Sequence, residues 1–248
     1  MANELDEQRD AGLKEGRKIE VINKTLPVTI GIESTLFTVL IWLIPIVIGM
    51  VVVLLMINNN DLLAVILGIV IAFMPGTLFS IAKVNAANYL LQLQQKLQHD
   101  ASQIDNYLEQ RVIILKNAAK LLEKGMHLDQ DTFTKIAELR SGNIKSDIER
   151  NDAAKNIDKI AHDINVAFEN YPDLKAHHEI EDVMQQNSYL QREITAAREV
   201  YNDTVLTWNK EIYEWPVKKI VAAKKGYTTR IPFATSDEIK HQASEVFF

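Results

Sequence analysis

His177-His178-Glu179-Ile180-Glu181-Asp182 gathers the residue types best suited to chemistry in this chain. Imidazoles and carboxylates bind divalent metals, and a zinc protease helix presents them as H-E-x-x-H, with two histidines one turn apart. Asp182 stands where the second histidine would be. An acidic first helical turn, favourable to the helix dipole, explains Glu179, Glu181 and Asp182 more simply. Glu123/His127 and Asp158/His162 are also one turn apart. They fit surface pairs, because a di-iron bundle needs two Glu-x-x-His motifs and two further glutamates. The sequence has no Walker A loop, G-x-G-x-x-G or G-x-S-x-G run, and no cysteine. No catalytic residue, cofactor or metal site is therefore expected, and the chain reads as a non-enzyme. The competing reading is a membrane-bound, metal-dependent hydrolase using the His177/His178 region.

The densest basic patch is Lys218, Lys219, Lys224 and Lys225, with Arg230 close behind. A nucleic-acid site would need more basic charge and a favourable overall field, whereas the formal charge here is -6. These four lysines are candidate contacts for anionic lipid or an acidic protein partner. A solvated helix face is the plainer use.

The elements that must position these groups begin in the membrane. Leu36–Ile57 and Leu62–Ala82 contain no Asp, Glu, Lys, Arg or His. Each run has about 20 residues, enough for a helix to cross a hydrocarbon core of about 30 Å. Only Asn58-Asn59-Asn60-Asp61 separates them, so they read as a hairpin of two spans. Some 35 mixed-charge residues before the first run and the second span after it argue against a cleaved signal. Arg9, Lys14, Arg17, Lys18, Lys24 and Lys83 flank the pair, and the loop has no basic residue. Both termini are thus expected in the cytoplasm of a two-span cell-membrane protein. Trp42 lies too deep to serve as an interface anchor. Pro45 and Pro75 can kink the spans.

The remainder has helical periodicity. Ile81–Lys124 lacks Gly and Pro and carries Leu90, Leu93, Leu97, Ile104, Leu108, Leu115, Ala119 and Leu122 at three- and four-residue steps. It should continue the second span as a stalk, with Gly125 as its end. A second helix is expected from Asp131 to Asn170, with a break at Ser141-Gly142-Asn143 and a stripe of Ile144, Ile148, Ile157, Ile160, Ile164 and Phe168. Tyr171-Pro172 ends it, and Asp173 caps a third helix from Leu174 to about Glu214. Trp208, Tyr213 and Trp215 are expected in the core or at the joint with a fourth, short helix. That helix starts on Pro216 and ends near Gly226. The expected fold is all-α: a transmembrane helical hairpin, then a cytoplasmic antiparallel helical bundle of three long helices plus a short fourth, then an extended C-terminal tail. The corresponding segments are a 1–33 arm, a 34–82 hairpin, an 83–226 bundle and a 227–248 tail that packs on the bundle.

Several motifs resemble the LemA family. They are Ile104-Asp105, Leu108, Arg111 and Asn117; Tyr171-Pro172-Asp173-Leu174; Ile194, Ala196-Ala197-Arg198 and Tyr201-Asn202; Trp215-Pro216; and Gly226-Tyr227, Phe233, Val246 and Phe248. The resemblance covers about Asn88 to Phe248. It implies a membrane-anchored antiparallel helical bundle and no agreed activity. The family's D-L-I-P-N stretch reads Ile113-Ile114-Leu115-Lys116-Asn117 here, and its T-E-N-R-I run loses the Glu-Asn pair around Tyr189–Ile194. Most members look like single-span proteins, so the arm and first span are additions. Arg198 and Tyr201-Asn202 form a polar cluster with a structural role, in which Arg198 pairs with Asp105 or a helix C-terminus. The expected function is scaffolding: binding other membrane or cytoplasmic proteins, or organising lipid locally, with homo-oligomers possible.

Overall fold

Without glycine or proline between Ile81 and Lys124, nothing interrupts the helix that begins in the second apolar run. The computed structural model describes residues 25–56, 62–125, 147–170 and 178–233. Among them are five helices: α1 (Ile32–Met56), α2 (Leu62–Gly125), α3 (Asp147–Asn170), α4 (His178–Glu211) and α5 (Val217–Lys224). The described residues contain no strand, only an isolated antiparallel bridge between Pro27 and Thr228. The fold is all-α, as its periodicity implies. The 64 residues of α2 run unbroken, about 96 Å at the helical rise, with Pro75 inside. Residues 1–24, the Asn58–Asp61 loop, Asp131, Ser141-Gly142-Asn143, Tyr171–Leu174, His177 and the tail beyond Phe233 lie outside the described residues.

The chain divides into two compact units, and α2 and α4 contribute to both. The first unit contains Leu97–Val205 and the segment from Ile231. Its core is made by the expected stripes: Ile104, Leu108, Leu115 and Ala119 on α2, Ile157, Ile160 and Ile164 on α3, Leu190, Ile194, Ala197 and Tyr201 on α4. Ile148 departs from its expected place and is 51% exposed. The buried face of α3 runs through Arg150, Ala154, Ile157, Ala161 and Ile164 at steps of three and four, and Ile148 is out of phase with it.

The second unit contains Thr25–Lys96 and Leu206–Arg230. In it α1 and α2 meet through small residues. A Cβ on Gly68 would strike a Val53 methyl and approach the Gly49 carbonyl, and a Cβ on Gly49 would strike the Gly68 carbonyl and Ala72. Gly76 leaves room for the Trp42 ring. Small residues let the two backbones approach closely, and dispersion contacts hold such a pair. Phe37 and Phe79 close one end of the pair, edge to face at 5.7 Å. Away from this seam the surface is apolar: Leu43, Val47, Leu54, Ile66, Phe73 and Leu78 all stand exposed.

The joint between α4 and α5 differs from expectation by a few residues. α4 ends at Glu211, and Tyr213 and Glu214 donate to the carbonyls three residues back, tightening the last turn. Pro216, following a cis Trp215–Pro216 bond, occupies the cap position, and Val217 is the first helical residue. Pro216 disfavours helix at Trp215, the residue before it, so α4 cannot run on into α5. Trp208 is buried in the core, and Trp215, 54% exposed, lies at the joint between the two helices. At the other end of α5, Gly226 takes φ +66°. Tyr227 N–H donates to Ala222 and Gly226 N–H to Ala223, the paired bonds of a left-handed glycine cap.

Candidate functional site

α2 presents Ile104, Leu108 and Arg111 at steps of four and three, so all three point to the interior of the first unit. Arg111 is 3% exposed. Its Nε donates to Asn187 Oδ1 on α4 at 3.0 Å, and its Nη1 to Asp158 Oδ1 on α3 at 2.5 Å. One guanidinium thus ties three helices. A buried arginine needs such partners, since its charge cannot be given up.

A second guanidinium joins α3 to α2. Arg150 on α3 grips Asp105 on α2 with two parallel bonds of 2.7 and 2.9 Å, and reaches Asp147 at 3.3 Å. Burial works against the Arg150 charge, but Asp105, with Tyr201 and Asp147, outweighs it and raises its pKa. Asp147 also accepts from the Tyr201 hydroxyl at 3.0 Å and from Ile231 N–H at 3.4 Å. Thr204 donates to buried Asp100 at 2.7 Å.

This occupancy overturns the expected Arg198–Asp105 pair. Asp105 is already held by the fork of Arg150. Arg198 instead lies over the Phe233 ring, 5.4 Å from its centroid, and its Nε has no hydrogen-bond partner among the described residues. Burial lowers its pKa; Asp158 opposes that shift and Arg111 adds to it. The contact is a cation–π one, with the charge half out of water.

Asn202 holds the extended segment beyond Ile231. It accepts from Phe233 N–H at 2.7 Å and donates to Phe233 carbonyl at 3.1 Å. A side-chain amide has one donor and one acceptor edge and so replaces the strand partner that this peptide lacks. Tyr201 meets Phe233 edge to face at 5.4 Å. In the second unit Asn209 repeats the device on Arg230, with bonds of 2.8 and 3.0 Å. Trp208 Nε1 donates to Thr228 carbonyl at 2.8 Å, and the Trp208 ring lies 5.1 Å from Tyr227. The chain just before α1 joins this segment. Val28 N–H donates to Tyr227, Thr229 N–H to Leu26, and Leu26 N–H to Thr229 Oγ1. Sequence reading missed these clamps and this N-terminal pairing. Asparagines at Asn202 and Asn209, two turns apart before an extended tail, were the available signal.

The basic patch divides. Lys218 bonds to Glu211 and, at 2.7 Å, to Glu214, with its ammonium 4.9 Å from the Tyr89 centroid. Burial opposes its charge, but the two carboxylates outweigh that and raise its pKa. Lys219 is half-buried, whereas Lys224 and Lys225 are exposed. Asn117 is exposed and apart from the ionic cluster. Among the described residues no three His, Cys, Asp or Glu side chains gather around a point that could hold a metal. Asp158 turns to Arg111, and not to His162 as a surface pair would require.

Residues 100–248 match the LemA family. The chain belongs to the LemA family. No curated protein matches it. The LemA match begins at Asp100 and takes in Asp105, Arg111, Asp147, Arg150, Arg198, Tyr201 and Asn202. α1 and the apolar start of α2 precede it. Among the described residues, two helices are long and apolar enough to cross a membrane, and both begin within this preceding stretch.

Proposed function

We propose that this LemA family chain is a membrane-anchored, non-catalytic scaffold. The α1–α2 hairpin crosses the bilayer with both termini in the cytoplasm, and the remaining helices form an antiparallel bundle that binds protein partners or organises lipid locally. The observation that carries this reading is the uncovered apolar surface of the hairpin, from Leu36 to Val84. Water would penalise so much exposed hydrocarbon, and a bilayer accepts it. The polar network supports a structural use of the family motif residues Asp105, Arg111 and Tyr201, which are occupied with Arg150, Asn187, Asp158 and Asp147.

The absence of cysteine makes the test direct. Single cysteines at Ala2, Asn59 and Ser236 in intact cells should react with an impermeant maleimide only at Asn59→Cys. Labelling of Ala2→Cys or Ser236→Cys from outside overturns the topology. Photo-crosslinkers at Gln186 and Lys218 in native membranes should yield a recurring protein or lipid adduct. A substrate turned over by the purified chain would overturn the non-catalytic reading.

A further inference from the structure

Trp215 is a large exposed aromatic that the packing of its own unit does not explain. It sits on a turn between two helices, yet its ring leans on Phe37, with centroids 5.0 Å apart. Phe37 is the second residue of the first apolar run, and it packs on Phe79, four residues before Lys83 closes the second. The Lys83 ammonium bends back over Phe79 at 4.7 Å, as a lysine at a membrane boundary does when its stem lies on hydrocarbon. Trp215 therefore stands level with the charged ends of both helices. An indole has an apolar body and one donor, and it favours the headgroup depth of a bilayer.

Charge agrees. Leu206–Arg230 holds six basic and two acidic residues, a net +4 in a chain of net -6. The two acids, Glu211 and Glu214, are both bound by Lys218, so neither confronts a lipid phosphate alone. Lys224 and Lys225 remain exposed for one. Between the turn and α2 runs an open groove of about 410 Å³, lined in part by Ala82, Asn85, Tyr89 and Trp215. Its α2 wall starts at the last apolar residues of the span, so the groove continues the lipid-facing surface of the hairpin.

We infer that the Tyr213–Val217 turn is a foot planted in the headgroup layer of an anionic bilayer, with Trp215 as its anchor and Lys224 and Lys225 as its contacts to phosphate. The inference rests on the membrane reading of the hairpin. It adds that a segment more than a hundred residues from the spans touches the same bilayer. Each basic side chain near an anionic surface adds to the attraction, so the lysines reinforce the indole.

The full chain is reconstituted in vesicles of phosphatidylglycerol and phosphatidylethanolamine. Emission lost in Trp215→Phe isolates the Trp215 signal from Trp42 and Trp208. Lipids brominated near the headgroup should quench it about twofold more than lipids brominated near the chain ends. A nitroxide on Lys219→Cys, with Trp215 intact, should report the same shallow depth. Lys224→Glu/Lys225→Glu should weaken the quenching in anionic vesicles and leave it unchanged in phosphatidylcholine. A nitroxide on Leu43→Cys reports insertion of the hairpin separately. If Leu43 lies in hydrocarbon while iodide in water quenches Trp215 and brominated lipid does not, the foot is overturned and the hairpin stands. Shielding of Trp215 from both quenchers overturns it too, since protein would then cover the indole. If Leu43 also lies in water, the membrane reading falls and takes the foot with it.

Discussion

Truncating Arg111 to alanine should lower the melting temperature of the first unit by roughly 6–12 °C. Arg111 is 3% exposed and bonds to Asn187, which is 6% exposed, and to Asp158, whose side chain keeps 26% of its exposure. Removing one partner of a fully buried ion pair costs about 3–5 kcal/mol. Asp158 is partly wet, so that component falls to about half or less. The Asn187 carbonyl, left without its donor, adds about 1–2 kcal/mol. Arg198, already in the field of Asp158, returns part of the loss. The net is about 3 kcal/mol, and a unit of this size shifts by roughly 2–4 °C per kcal/mol. The assay is thermal melting of the full chain in micelles, followed by far-ultraviolet circular dichroism. The reasoning makes a sharper demand on Arg111→Met/Asp158→Leu/Asn187→Leu. With every polar partner replaced together, no group is orphaned, and stability should recover past the single variant. A melting temperature within about 2 °C of wild type for Arg111→Ala would refute the claim that this guanidinium ties three helices.

Gly68→Leu should force α1 and α2 apart against Val53 and the Gly49 backbone, at about 1–3 kcal/mol. Altered mobility of the hairpin in SDS gels, with Leu40→Ala as an unaltered control, checks it. Asn202→Ala removes both bonds to Phe233 and should cost about 1–2 kcal/mol, with faster hydrogen exchange at the Phe233 amide. Asn202→Asp keeps the acceptor edge alone and should fall between the two. Lys218 holds the Glu214 carboxyl below its usual range, so the stabilisation from Glu214 is full above that range and fades as pH falls through the lowered value. The Lys218 ammonium is raised, so its stabilisation is full below the usual lysine range and fades as pH rises through the raised value. Emission from Trp215 should therefore be flat from roughly pH 5 to 10, and a transition near neutrality that vanishes in Lys218→Gln would contradict the pairing.

The apolar periodicity of α2 and α4 told which residues would be buried, because a helix repeats every 3.6 residues wherever it packs. Ile104, Leu108, Ile194 and Tyr201 fall where that repeat puts them. Partner choice among charges was not legible. Asp105 lies within one chain of several arginines, and only the juxtaposition of α2 with α3 hands it to Arg150 and leaves Arg198 to an aromatic ring. The asparagine clamps were equally hidden, since Asn202 and Asn209 look like any polar helix residues until an extended segment lies beside them. Gly68, Ala72 and Gly76 were readable as a small-residue seam at four-residue spacing, yet an apolar run draws attention to length before texture. The joint at Glu211–Val217 was misplaced because proline marks where a helix cannot be, and says less about how many turn residues precede it.

The pairing of Leu26–Val28 with Tyr227–Thr229 joins positions 203 residues apart. On a ribosome these ends are made at opposite moments. The α1–α2 pair is made while its latch is still unwritten, and Leu26 waits 203 residues for its partner. A translation product that stops just before Tyr227 would carry α1 to α5 in full but nothing to fasten the first stretch. The unfastened stretch would distinguish a chain cut short there from one that reaches Thr229, in a form that a protease can read.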